Sequence, residues 1–486
     1  MTSPATALDA RQTCLQINSR SPVGGLFQGD RTQVHPDSHL PWRISPEPFW
    51  LTPQQAAYLE RLGPALNEFH RAINLLYHQS TRGLQPAWVH EYLDQGKPGE
   101  IIELGRMNRF RSRLPLVIRP DLLVTEQGFC LVELDAIPGG MGFTAQVSER
   151  YAELGYSLIG GAHGLADELY SAIAATVQMD RPTVALLVSD ESESYREEMT
   201  WLSQRLLDLG LPMYCRHPRD VHFDQEGLYL CHDGGTERID VVYRFFELFD
   251  FKNIPKAEPI IYFAKKNQVR ITPPLKAYLE EKLWLGLFHH PLLQEFWTKE
   301  LDSEHLSLLQ EVIPRTWIMD PRPLPPHAVI PGLHPGGRAM GNWEPLKHLT
   351  KKQREYVLKP SGFSHLAYES RGVSVGHDLP EDEWTARIQQ ALDSFHDVPY
   401  VLQEFHKARR TTMSYYDFGE DAMASMNGRT LLRPYYYVHA GTPRLAGMQA
   451  VVCPPDKKVL HGMADAILAP CAIAEEQDRF DRERSG

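Results

Sequence analysis

Between residues 164 and 265 the chain repeatedly exchanges one hydrophobic period for the other, and this alternation restricts the fold more than any other feature. Helical spacing over 164–178 gives way to the apolar run Val184 to Ser189, then to a second helical stretch over 195–209. Strand-like segments near 212–215, 227–231 and 239–244 follow, and Ile260 to Ala264 reads as one more strand. Strands that alternate with helices pair in parallel, because each helix returns the chain to the edge from which the next strand starts. A Rossmann-like parallel-sheet α/β unit is therefore expected over residues 161–270.

The flanking sequence divides around this unit. Residues 1–45, rich in Pro, Gly, Ser and Asp and without periodicity, predict an extended N-terminal arm. From Pro53 to His78 the residues Tyr58, Leu59, Leu62, Leu66, Phe69, Ile73 and Leu76 recur every three or four positions, which predicts an amphipathic helix opened by Thr52-Pro53. Short strands are expected over Leu116 to Arg119 and Phe129 to Leu134, so residues 46–160 form a helix-and-strand region. Residues 271–455 carry helical stretches at 275–288, 303–312 and 381–395, and a proline-rich loop at 320–336. Strands are expected there over Tyr356 to Lys359, Tyr400 to Phe405, 430–438 and 445–452. Residues 456–486 read as a C-terminal tail whose charged end frays.

Charge and composition remove several function classes. A net charge of −12 gives no basic footprint for nucleic acid. No run approaches eighteen apolar residues, and the start MTSPATALDARQ lacks the layout of a secretory signal, so a soluble, cytoplasmic protein is expected. The six cysteines form no C-x-x-C pair, and no H-E-x-x-H spacing marks a histidine metal site.

Chemistry concentrates in three places. In VIRPDLLVTEQGFCLVELDAIPGG, residues 117–140, strand alternation puts Arg119 with Asp121, and Glu133 with Asp135, on single faces of adjacent strands. Three carboxylates converging there need positive charge between them, and their hard oxygens suit Mg²⁺. A solvated acidic hairpin is the alternative, but Ile118, Leu131 and Val132 on the same strands read as core. The Pro138-Gly139-Gly140-Met141-Gly142 turn allows a close backbone approach to a ligand.

In YVLKPSGFSHLAYESRGVSVG, residues 356–376, Lys359 ends a strand where its ammonium can reach a phosphate. Ser361, Gly362 and Ser364 follow with hydroxyl and backbone donors, although the segment does not match the Walker pattern. In YVLQEFHKARR, residues 400–410, an apolar strand delivers Gln403 and Glu404 to a polar hinge that can hold a nucleobase.

In this order the three pieces resemble the circularly permuted branch of the ATP-grasp family, the glutathionylspermidine synthetase-like carboxylate–amine ligases. The resemblance spans roughly residues 115–455. It implies an α/β fold of circularly permuted ATP-grasp type with the Rossmann-like unit inserted. It also implies small-molecule carboxylate and amine substrates joined through an acyl phosphate, with ATP and Mg²⁺, or alternatively Mn²⁺, as cofactors. By the same resemblance Arg119 steadies the transferring phosphoryl group, Asp121, Glu133 and Asp135 hold the metal, and Lys359 grips the ATP phosphates. Gln403 and Glu404 take the adenine, and Lys276 is a second nucleotide lysine for which Lys282 is a rival. Asp135 replaces the family's usual asparagine, and Phe363, His365, Leu366 and Tyr368 thin out its glycine-dense phosphate loop. A scaffold that binds nucleotide or a partner without turnover is therefore the alternative reading. A dinucleotide enzyme is disfavoured, because Gly160-Gly161-Ala162-His163-Gly164 lacks the G-x-G-x-x-G spacing.

Overall fold

The computed structural model describes residues 9–19, 42–135, 137–232, 234–367, 371–417, 420–461 and 465–474. The N-terminal stretch runs α1 (Ala10–Ser19), β1 (Phe49–Leu51), α2 (Pro53–Ser80), α3 (Ala87–Asp94), α4 (Gly99–Arg106), β2 (Val117–Val124), β3 (Phe129–Asp135) and α5 (Met141–Glu153). Next come α6 (Gly164–Val177), β4 (Val184–Val188), α7 (Arg196–Asp208), β5 (Met213–Arg216), β6 (His222–Phe223), β7 (Leu228–His232), β8 (Gly235–Arg238), β9 (Val241–Phe245), α8 (Ala257–Lys265) and β10 (Arg270–Thr272). Then follow α9 (Leu283–Phe288), α10 (Gln294–Glu300), α11 (Ser303–Val312), β11 (Thr316–Ile318), β12 (Tyr356–Pro360), β13 (Ser374–Val375), α12 (Glu381–Asp393) and β14 (Tyr400–Glu404). Four strands close the chain: β15 (Arg410–Asp417), β16 (Ala422–His439), β17 (Thr442–Cys453) and β18 (Ile467–Ile473).

Three sheets position the charged residues. The largest has the order β1-β18-β17-β16-β2-β3, with β15 also paired to the long β16. Strands β2 and β16 are neighbours in it although the parallel unit lies between them in sequence. Strands β10-β9-β4-β5 form an all-parallel sheet buried on both faces, as its continuous apolar strands require. Strands β11-β14-β12-β13 make a small antiparallel sheet. The fold is thus mixed α/β.

Helix α2 follows from its sequence closely. Its stripe Leu59, Leu62, Leu66, Phe69 and Ile73 is buried in the core of the large sheet. At its start Thr52 Oγ1 accepts from Gln55 N at 3.2 Å while Gln55 Oε1 accepts from Thr52 N at 2.9 Å, a reciprocal capping box. Thr52→Ala is expected to cost about 1 kcal/mol. The check is a lower urea midpoint at unchanged m-value.

Four sequence expectations are corrected. Residues Ile260 to Ala264 lie in helix α8 rather than a strand, since β9 and β10 run parallel and their connection must cross over. The apolar residues Ile260, Ile261, Phe263 and Ala264 face inward while Tyr262 is exposed, which is helical and not alternating spacing. The 1–45 arm contains α1, whose Cys14 and Ile17 are buried against Ile44 and Tyr416. The 456–486 tail contains β18, paired with both β17 and β1. The helix expected over 275–288 breaks at Glu281, which adopts extended backbone between a short turn and α9. Among the described residues, no helix is long and apolar enough to cross a membrane.

Candidate functional site

The hairpin β2–β3 sets the arrangement through its register. Arg119 lies opposite Asp135 and Asp121 opposite Glu133, so the four side chains share one face. A bulge follows: Leu122 pairs with Leu131, which leaves Val132 as the extra residue of β3. Its carbonyl is thereby free to accept a hydrogen bond from Lys359 Nζ, at 2.6 Å. That lysine, on β12, also donates to Gln403 Oε1 on β14 at 2.7 Å and so joins the small antiparallel sheet to the large one.

Every carboxylate on this face has a protein cation. Arg119 pairs with Asp121 at 3.0 Å and, very closely, with Asp135. Arg433, from β16, approaches Asp121 at 3.4 Å. Lys282, at the start of α9, reaches Glu133 at 2.7 Å because the break at Glu281 redirects the chain there. Burial opposes the charge on Arg119, but Asp121 and Asp135 outweigh it and raise its pKa. Burial likewise opposes ionisation of Glu133, but Lys282 and Lys359 outweigh it and lower its pKa. Asp135 goes the other way, since burial and its carboxylate neighbours exceed the help from Arg119. Burial pulls Lys359 down to about 8 despite Glu133.

This distribution bears on the metal. Asp121, Glu133 and Asp135 offer the oxygen donors Mg²⁺ prefers. Yet Arg119, Arg433 and Lys282 already balance them one by one, and among the described residues no three such groups are arranged to ligate an ion. The hairpin as it stands does not form a metal site, because the chain itself supplies the positive charge that the carboxylates require.

The loop after Lys359 is similarly committed. Ser361 Oγ donates to Glu281 Oε1 at 2.6 Å and Gly362 N to Glu281 Oε2 at 3.1 Å. Glu281 is in turn paired with Lys97, and both side chains are all but fully buried. An added Cβ at Gly362 would stand 1.8 Å from Glu280 O, so this glycine is required by packing. Ser364 Oγ accepts from Leu366 N at 3.2 Å within the same loop. A carboxylate thus holds the donors that the sequence offers to a phosphate. Tyr368 lies outside the described residues.

The glycine turn before α5 is explained the same way. Gly140 N and Phe143 N donate to the buried carboxylate of Glu198, on α7, at 2.7 and 2.8 Å. Burial raises the pKa of Glu198 to about 7 while these two bonds resist the shift. A Cβ on Gly139 would meet the Tyr195 ring at 2.1 Å, so tight packing on the parallel unit already calls for glycine there.

At the hinge, Gln403 Nε2 donates to Thr316 Oγ1 at 3.2 Å, which locks this side chain between β11 and Lys359. The carboxylate of Glu404 instead lines an open cleft of about 420 Å³ with His289, Glu311, Arg315 and His406. Lys276 is engaged away from the β2–β3 carboxylates. Its ammonium is held by Asn74 Oδ1 and the carbonyls of Arg111 and Arg113, at 2.7, 3.0 and 2.6 Å. Of the two rival lysines it is Lys282 that the fold brings to Glu133.

No protein-family model matches the chain, and no curated protein matches it in sequence. Among solved structures, a glutathione synthetase-like effector from Globodera pallida, in its apo form, superposes with a TM-score of 0.52 at 11% identity, covering 98% of this chain and 100% of that one. The chain shares that effector's fold. A protein assigned as a gamma-glutamylcysteine synthetase from Methylobacillus flagellatus scores 0.37 at 13% identity, covering 77% of this chain and 84% of its own. A D-alanyl-alanine synthetase A from Vibrio cholerae scores 0.27 at 14% identity, covering 57% and 69%. At those scores the latter two add nothing to the assignment of the fold.

Arg433, Lys97, Glu281 and Glu198 are the participants that sequence reading misses. Arg433 sits in a long strand, 312 residues from Asp121, and only the pairing of β2 with β16 brings them together. The helix break that directs Glu281 towards Lys97 and Ser361 has no punctuating Gly or Pro within 275–288 before Gly286.

Proposed function

We propose that the chain is an ATP-dependent carboxylate–amine ligase that activates its acid as an acyl phosphate. One observation carries this reading: Arg119, Asp121, Glu133, Asp135, Lys282, Lys359 and Arg433 are gathered, largely buried, where the large sheet meets the β12–β14 sheet. So dense a group of ionised side chains is a poor way to stabilise a fold and a common feature of catalytic sites. The shared fold with a glutathione synthetase-like effector supports the reading, as does the order of hairpin, parallel unit, lysine strand and hinge. In that order we read a permuted ATP-grasp domain with an inserted unit. A cytoplasmic location and small-molecule partners go with it.

In the reaction, an oxygen of the substrate carboxylate attacks the γ-phosphorus of ATP, and the bond to the β-phosphate oxygen breaks to release ADP. Among the described residues Arg119 keeps a buried Nε–H without a hydrogen-bond acceptor, a donor that a phosphoryl oxygen can satisfy, and Arg433, whose Nε lies 3.4 Å from Asp121, adds positive charge beside it. Lys359 and Lys282 hold the remaining phosphate charge. The amine nitrogen then attacks the acyl carbon, and phosphate leaves with the bonding electrons. Positioning and charge do the work, and no side-chain nucleophile is needed.

Lys359→Met is expected to weaken ATP binding about 10–100-fold, because it removes a charge-assisted phosphate contact. Calorimetric titration of ATP into both proteins is the check, and equal affinities would reduce Lys359 to a strut between sheets. A second reading, nucleotide binding without turnover, is favoured by Glu281, which holds the Ser361 and Gly362 donors. Measuring ADP release with Mg²⁺ or Mn²⁺ across carboxylic acids and amines separates the two.

A further inference from the structure

The proline-rich stretch between β11 and β12 takes no part in the site described above, and the structure turns it outward. Residues 321–327 are all exposed and lie in neither helix nor strand. Both ends of the stretch are pinned. At the first, the Trp343 indole donates to Asp320 O and the Tyr92 hydroxyl to Asp320 Oδ2, each at 2.6 Å. Arg322 folds back on the same carboxylate, donating through its backbone N at 2.9 Å and its Nε at 2.8 Å. At the second end the Trp317 indole donates to Pro331 O at 2.8 Å and Ile330 N to Met340 O at 2.7 Å, with Ile330 buried in the same cluster as Leu333. Residues 321–327 thus form an exposed arch on fixed feet.

Its residues dictate its shape. Pro321, Pro323, Pro325 and Pro326 fix their own φ at about −65°. Arg322, Leu324 and Pro325 each precede a proline, which drives them from helical to extended backbone. The two constraints together leave polyproline II for 321–326, at about 3.1 Å per residue and so about 19 Å in all. A turn ends it: Ala328 N donates to Pro325 O at 3.0 Å, and His327 takes the positive φ, 66°, that a type II turn needs after a proline. Polyproline II has about three residues per turn, so Pro323 and Pro326 line one edge and Pro321 and Leu324 another. Leu324 is 40% exposed. Prolines have no N–H, and among the described residues no donor reaches the carbonyls of Pro321, Arg322, Pro323 or Leu324.

We propose that this arch is a docking segment for a protein domain whose groove is lined by tryptophan and tyrosine rings. Flat rings pack on the ridges that the prolines and Leu324 present, and indole N–H and phenol O–H groups supply the donors that the arch's carbonyls accept. Because the feet and the prolines order the arch before a partner arrives, docking costs little conformational entropy. Arg322 is paired with Asp320 and its guanidinium lies over the Tyr92 ring, 5.5 Å from the centroid. It therefore serves the foot, and Pro323, Leu324 and Pro326 carry the recognition. The assignment goes beyond the ligase reading and is independent of it, since it uses none of the residues gathered around the hairpin.

The test is calorimetric titration of the full chain with isolated SH3 and WW domains, which read proline-rich segments through aromatic grooves. At least one domain is expected to bind at one-to-one stoichiometry, and Pro323→Ala combined with Pro326→Ala to weaken it about tenfold or more. The melting temperature of that variant should fall by at most a few degrees, because both side chains are exposed and the main change is greater freedom of the unfolded chain. Leu324→Ser, which leaves every proline in place, is expected to weaken the same domain several-fold and keeps the proposal refutable if the proline variant does not fold. Equal affinity in wild type and variants, or no binding of any domain, overturns the assignment. ADP release is measured separately on the same proteins, so this proposal and the ligase reading can fail independently.

Discussion

Arg119→Ala is expected to cost about 3 kcal/mol of folding stability, because it takes the shared cation from buried Asp121, leaving it only Arg433, and from half-buried Asp135. Chemical denaturation measures this directly. The same loss complicates a reading of function, so the informative companion is Arg119→Lys, which keeps the charge but gives up the planar fork that bridges both aspartates. Its turnover is expected to fall by two to three decades, about 3–4 kcal/mol of barrier, with ATP affinity changed only a few-fold. A lysine variant with full turnover would place Arg119 in a structural role. Asp135→Asn is the contrast on the same hairpin. It removes a carboxylate whose ionisation burial and its acidic neighbours oppose, so activity should persist.

The second large effect belongs to Lys97 and Glu281. With side chains 1% and 0% exposed, they form an ion pair that no solvent screens. Removing either partner leaves the other charged and buried, so Lys97→Met and Glu281→Ala are each expected to cost about 3–5 kcal/mol. The double variant should cost much less than the sum, and a double-mutant cycle is the measurement. Additive losses would mean that the two residues act separately. Glu281 also holds Ser361 and Gly362, so its removal releases both donors of the loop. If that loop takes phosphate, nucleotide affinity should rise in Glu281→Ala even as stability falls.

The hairpin was legible because strand alternation is a strict period of two, which puts Arg119, Asp121, Glu133 and Asp135 on one face however the chain continues. Helix α2 was legible through its complete helical period, and parallel strands β4 and β9 through continuous apolar runs. Ile260 to Ala264 misled because a β-branched and aromatic run of that length fits either element, and only the parallel pairing of β9 with β10 decides for helix. The partners of the hairpin were hidden for a different reason. Arg433 arrives through pairing between β2 and β16, and Lys282 through a helix break. Neither contact leaves a local signature. Three carboxylates on one face do not by themselves require a metal, since compensating charges such as Arg433 and Lys282 lie elsewhere in the chain.

Hydroxylamine intercepts an acyl phosphate as a hydroxamate without requiring the natural amine, which makes it the most direct probe of the chemistry proposed here. Wild-type protein is incubated with ATP, Mg²⁺ and hydroxylamine across a panel of amino acids, γ-glutamyl peptides and dicarboxylic acids, and hydroxamate and ADP are quantified together. The expected result is equal amounts of the two products with at least one acid, reduced by two to three decades in Arg119→Lys. ATP binding without hydroxamate from any acid, or ADP release that no acid stimulates, would contradict a ligase acting through an acyl phosphate.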